Sequence, residues 1–139
     1  MRLAAPLALL LALPLSVLTY SAQAQEAPIN WTCVLDILCP DVGGCRDWDQ
    51  TITIVEGDDG WRVTWNDDLP SDYVLIGDYL PPEDAVEQVR VRTLMFLNER
   101  AQSSQMVTFD STGHVVVTGH QPQAGTRVVT GLGTCEVAE

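Results

Sequence analysis

The sequence contains no lysine. Its seven basic residues are all arginine and stand against nineteen acids, which leaves a formal charge of −12. Such a chain cannot neutralise phosphates, so nucleic acid and anionic membrane surfaces are excluded as partners. A basic protein, a cation or a cationic small molecule would be drawn to it. No Cys-x-x-Cys knuckle occurs, so the four cysteines do not read as a zinc site. Also missing are a Gly-x-Ser-x-Gly elbow, a phosphate loop, a dinucleotide fingerprint and a His-Glu-x-x-His helix. No carboxylate pair stands out from so acidic a background. The two histidines, His114 and His120, have no nearby ligands to complete a metal site. The turns at Asp47-Trp48-Asp49, Asp58-Asp59 and Asp67-Asp68 do not follow the calcium-loop pattern. These absences point to a non-enzymatic protein with no cofactor and no metal.

Only one long apolar run is present, from Leu3 to Tyr20. It follows Met1-Arg2 and precedes Ser21-Ala22-Gln23-Ala24. A basic start, an apolar middle and a small-x-small site predict a secretory signal peptide over residues 1–24, cleaved after Ala24. Residues 25–139 then form a single domain with no membrane span, in the periplasm or outside the cell. All four cysteines survive cleavage, and an even number in an exported domain predicts disulfides. Of the three pairings, the arrangement favours Cys39–Cys45 and Cys33–Cys135. Pro40, Gly43 and Gly44 let the first pair fold back on itself. The second pair would tie the first strand to the last. Loop entropy values a short ring at about 2 kcal/mol and a ring of ~100 residues near 4.7 kcal/mol.

The mature chain reads as short alternating segments separated by turn residues. Strands are predicted over 29–38, ending before Pro40, and over 48–55, 61–65, 73–76, 89–97, 105–109, 114–118 and 126–130, with 131–135 carrying the chain to Cys135. Gly57-Asp58-Asp59-Gly60 marks a hairpin, and Gly77-Asp78 is expected to end the fourth strand. Pro81-Pro82-Glu83-Asp84 is the one helix signal, allowing at most one turn near Glu83 to Gln88. Val89 to Leu97 could also line a helix face, but Val89-Arg90-Val91-Arg92-Thr93 alternates as a strand does. The fold class is all-β: an antiparallel meander of seven to eight strands, closing as a small barrel or packing as a sandwich. Closure would remove the two edges that the first and last strands otherwise expose.

Trp61, Val63 and Trp65 share one face of a strand, as the wall of a core or the floor of a ligand cleft. Arg90 and Arg92 lie two apart and are candidates for an anion contact or for pairing with acids on a neighbouring strand.

Trp31-Thr32-Cys33, the five-residue cysteine intervals, the late Thr-Gly-His and the closing Gly-Thr-Cys resemble small exported proteins of Gram-negative bacteria that have no assigned function. That resemblance implies an all-β secreted domain and carries no site. At the level of scaffold the chain is also similar to the periplasmic inhibitors of C-type lysozyme, with an aromatic-x-Cys strand and early and late cysteines. It departs from them in having no counterpart of their Ser-Gly-containing loop or Tyr/Gly-rich strand. The expected function is binding of a protein partner, particularly a basic one, through the acidic face. The alternatives are inhibition of a basic hydrolase such as lysozyme, and a barrel holding a small apolar ligand.

Overall fold

The structure, a computed structural model, describes residues 29–121 and 127–138. The expected leader over 1–24 lies outside them, as do residues 122–125 of the turn expected after His120 and residue 126 of the strand expected to follow it. The described chain is a closed antiparallel barrel of eight strands in sequence order. The strands are β1 (Asn30–Pro40), β2 (Arg46–Gly57), β3 (Gly60–Trp65), β4 (Ser71–Tyr79), β5 (Val91–Asn98), β6 (Ser103–Asp110), β7 (His114–His120) and β8 (Val128–Val137). Barrel, not sandwich, is therefore the outcome, and β1 pairs with β8 from Trp31↔Val137 to Pro40↔Val129. The two disulfides are Cys33–Cys135 and Cys39–Cys45. Cys33 and Cys135 face each other directly in the closing ladder.

Every strand sends at least one side chain into a single core. Cys33, Leu35, Ile52, Ile54, Trp61, Val63, Tyr73, Leu94, Val107, Phe109, Val115, Val117 and Cys135 are all buried and in one cluster. This is the period-2 pattern of a closed sheet with one wet face. Phe109 sits near the middle, with ring centroids 5.7 Å from Trp61 and 6.4 Å from Trp31.

Two irregularities depart from the sequence expectation. In β1 the register shifts between Leu35 and Ile37 in both ladders. The bulge turns the pattern over, so Leu38 is buried and Ile37 faces out. The strand then runs through Pro40 instead of stopping before it. Asp41 N–H donates to Val128 O at 2.8 Å, so the preceding residue's nitrogen points away from β8. On that side β2 has not yet begun pairing, so no hydrogen bond is lost to the proline. In β4 a second shift falls between Leu75 and Gly77. Gly77-Asp78 therefore does not end the strand; it is a bulge inside it, and pairing continues to Tyr79↔Val91.

The 80–90 connection contains no helix. Its one turn is closed by Ala85 N–H to Pro82 O at 3.0 Å, and Gln88 Nε2 donates to the Pro82, Glu83 and Ala85 carbonyls. Val91–Asn98 is strand, which settles the ambiguity of that segment. At the β2–β3 hairpin, Gly60 has φ +129°, a backbone conformation that glycine tolerates and other residues rarely adopt.

Candidate functional site

The barrel wall is complete except at the β3–β4 seam. These strands pair only at Trp61↔Tyr73, Arg62↔Asp72 and Val63↔Ser71. Beyond Tyr73, β4 pairs only with β5. Backbone groups of Val74–Tyr79 that point away from β5 therefore meet no strand among the described residues. The same stretch exposes apolar side chains: Val74 is 64% exposed and Ile76 49%, with Leu75, Tyr79 and Leu80 also at the surface. A bare strand edge with apolar side chains is a template for another strand. Where β3 leaves β4, a cleft of about 270 Å³ opens between Asp59, Gly60, Trp61, Arg62, Asp72 and Tyr73. Asp59 and Asp72 in the wall of this cleft, and Asp58 next to them in the β2–β3 hairpin, are all exposed.

Asp78 organises the base of the same strand. Arg90 Nε donates to its Oδ1 at 2.8 Å, and the Arg90 terminal nitrogen meets Oδ2. Arg92 Nε lies 3.8 Å from Oδ1, and Asp78 and Arg92 are register partners across β4 and β5. Arg92 is itself buried, 8% exposed, with its guanidinium carbon 5.8 Å from the Trp61 ring centroid. The two arginines singled out in the sequence thus converge on one acid, the cross-strand pairing anticipated as the alternative to an anion contact. Arg92 lies within β5 and is buried, while Arg90 stands one residue before the strand and is more exposed.

The hydrogen bond from Arg90 holds the Asp78 carboxyl below the usual carboxylate range; slight desolvation opposes it, and the charges of Arg90 and Arg92 add to the lowering. A depressed folded pKa gives stability that is complete above about pH 4 and lost as pH falls through the folded value. Asp78→Asn should remove that acid-side slope. At neutral pH it should cost about 2 kcal/mol, because Arg92 keeps its buried charge without a carboxylate. Urea midpoints measured from about pH 2 to 7 read both effects.

Trp61 and Val63 are buried in the core cluster, and Trp65 packs against it. Trp65 also borders a cavity of about 160 Å³ with Trp48 at the opposite end of the barrel. Their rings are 6.0 Å apart and tilted by 47°. Trp48 carried a signal in the sequence: it is in phase with the inward Ile52 and Ile54. Nothing in the sequence marked Tyr73, Asp78 or Gln105, which meet these sites only through register.

His114 and His120 both lie exposed on the outer face of β7, as their spacing predicts. His114 Nδ1 is 2.8 Å from Thr112 Oγ1 and 3.5 Å from Asp110 Oδ2. Among the described residues no group of three or more His, Cys, Asp or Glu side chains could hold a metal ion. No helix among them is long and apolar enough to cross a membrane. Fold and site together define a disulfide-latched, up-and-down eight-stranded barrel with an apolar core and one short seam. Protein-family models, curated proteins and solved structures yield no match to this chain.

Proposed function

We propose that this protein is a non-enzymatic binding protein of the periplasm or extracellular space, and that its partner is a basic protein presenting an extended segment to β4. The observation that carries this is the open edge from Val74 to Tyr79, apolar in its side chains and bordered by exposed acids. Strand addition supplies affinity through backbone hydrogen bonds, and side-chain clefts supply selectivity. The cleft at the seam, with Asp59 and Asp72 in its wall, suits a lysine or arginine of the added strand. A second copy of this chain is a poor occupant, since each copy carries a charge of −12. Export is supported by the leader pattern and by two formed disulfides.

The test uses the mature, oxidised protein and a dye-labelled peptide of alternating lysine and valine, read by fluorescence anisotropy. The peptide should bind. Val74→Lys with Ile76→Lys should weaken it about tenfold or more, by charging an edge whose side chains are already exposed. A threonine–valine peptide should bind far less. Equal binding by the double variant, or by a basic helical peptide of the same charge, would remove the proposal. Inhibition of a basic hydrolase is one form such binding takes, and turbidity assays with C-type lysozyme read it directly.

A further inference from the structure

The second cavity lies at the end of the barrel that carries the β1–β2, β3–β4 and β7–β8 connections, away from the open β4 edge. It is lined by Trp48, Gln50, Trp65, Gln105, Val117, Gly131 and their neighbours, and no charged side chain is among them. In a chain of net charge −12 that exclusion is specific. A carboxylate or ammonium group entering here would lose its hydration without gaining a counter-charge.

The polar side chains of the lining include the amides of Gln50, Gln105 and Gln121 and the Trp65 indole. Tyr73 donates its hydroxyl hydrogen to Gln105 Oε1 at 2.6 Å, which fixes the orientation of that amide. The Gln105 carbonyl is thereby committed, and its NH₂ group makes no hydrogen bond among the described residues. Gln50 is different: its carbonyl accepts from Asn66 Nδ2 at 2.9 Å, and its NH₂ group donates to the Asp49 carbonyl. The Trp65 indole N–H is buried and has no partner of hydrogen-bonding geometry. It faces the Tyr73 hydroxyl closely enough to lower that group's pKa slightly, against the larger rise caused by burial. The Trp65 N–H thus points toward Tyr73 and not into the cavity, which leaves the Gln105 NH₂ group as an uncommitted donor beside the indole rings.

The walls are rigid and flat. Trp48 and Trp65 brace each other. Gly131 allows Trp48 to lie against β8, since a Cβ at that position would come within 2.5 Å of the indole ring. The volume, about 160 Å³, is close to that of an apolar cavity known to hold benzene, about 150 Å³.

We infer that this pocket binds a small, uncharged, planar ring compound that carries a hydrogen-bond acceptor such as a carbonyl. Ring faces stack on the indoles, and the acceptor takes the Gln105 NH₂. This inference does not rest on the β4 reading, because the two sites share neither strand edge nor cleft.

The test titrates mature, oxidised protein with benzamide, followed by tryptophan fluorescence and by calorimetry. Toluene has the ring without the acceptor, benzoate adds a negative charge, and methyl glucoside is uncharged but not planar. Benzamide should bind saturably with Kd at or below about 1 mM, the scale reached by so small a compound. The three controls should be about tenfold weaker or more. Gln105→Glu keeps an acceptor for Tyr73 but removes the NH₂ donors, and it should weaken benzamide about tenfold while leaving toluene unchanged. Gln105→Leu gives a second reading of the same loss if the carboxylate disturbs packing. Failure of benzamide to saturate, equal affinity for toluene, or unchanged affinity in both Gln105 variants would overturn the inference.

Discussion

Gly133→Val should leave little or no folded protein, although it changes one small residue in a strand. A Cβ at this position would lie 1.9 Å from Val34 O and 2.8 Å from Leu35 Cα, so the obstacle is backbone and cannot swing aside. The crowding occurs where β8 passes the β1 bulge, with Gly133 opposite Leu35 in the ladder that closes the barrel. Relieving it means separating β1 from β8. The expected loss is about 4 kcal/mol or more, a large part of the stability of a domain this size. Two comparisons isolate the cause. Gly131→Ala meets an indole ring, which can shift, and should cost about 1–2 kcal/mol. Gly44→Ala meets no atom within 4 Å and should be close to neutral. Thermal and urea unfolding of the three variants read the order directly.

Replacing Cys33 and Cys135 together by alanine is expected to be nearly as damaging. Their sequence separation is 102, so the crosslink restricts almost the whole unfolded chain. Loop entropy sets the loss near 4–5 kcal/mol, against about 2 kcal/mol for the Cys39–Cys45 pair, whose separation is 6. Both Cys33 and Cys135 are also core residues, so truncating the sulfurs adds a packing term of the same sign. The Cys39–Cys45 pair closes only the β1–β2 connection, and its removal should leave the barrel folded. Urea midpoints of the two double variants, with unchanged slope, separate these cases. Equal losses from the two pairs would show that the closing seam does not depend on its crosslink.

Much of this architecture was legible in the residues. Trp61-Arg62-Val63-Thr64-Trp65 alternates without interruption and is a strand with Trp61 and Val63 in the core. The turn residues Pro40, Gly43 and Gly44 indicated Cys39–Cys45, and closure of the first strand on the last indicated Cys33–Cys135. What escaped the sequence was register. A bulge leaves little mark in residue type, so the phase change after Leu35 and the continuation of β4 past Gly77 could not be read. The position of Asp78 opposite Arg92 follows from that second bulge, whereas the inward turn of Arg92 is plain alternation with Leu94. Alternation also says which strands are neighbours without saying how far their ladders run. The short β3–β4 seam, and hence the open β4 edge, is therefore a property of stagger that appears only in three dimensions. Similarly, Gln105 is one polar residue among many until Tyr73 reaches it from β4, 32 residues away in sequence.

Hydrogen–deuterium exchange of the mature, oxidised protein, with and without the alternating lysine–valine peptide, addresses the functional account at its centre. Alone, the protein should exchange slowly across the paired strands and faster along Val74–Tyr79, where one side of the backbone is unpaired. With the peptide, protection should rise in that segment and nowhere else on the sheet. Protection that appears on other strands, or none on β4 under conditions where the peptide is bound, would contradict the assignment of binding to this edge.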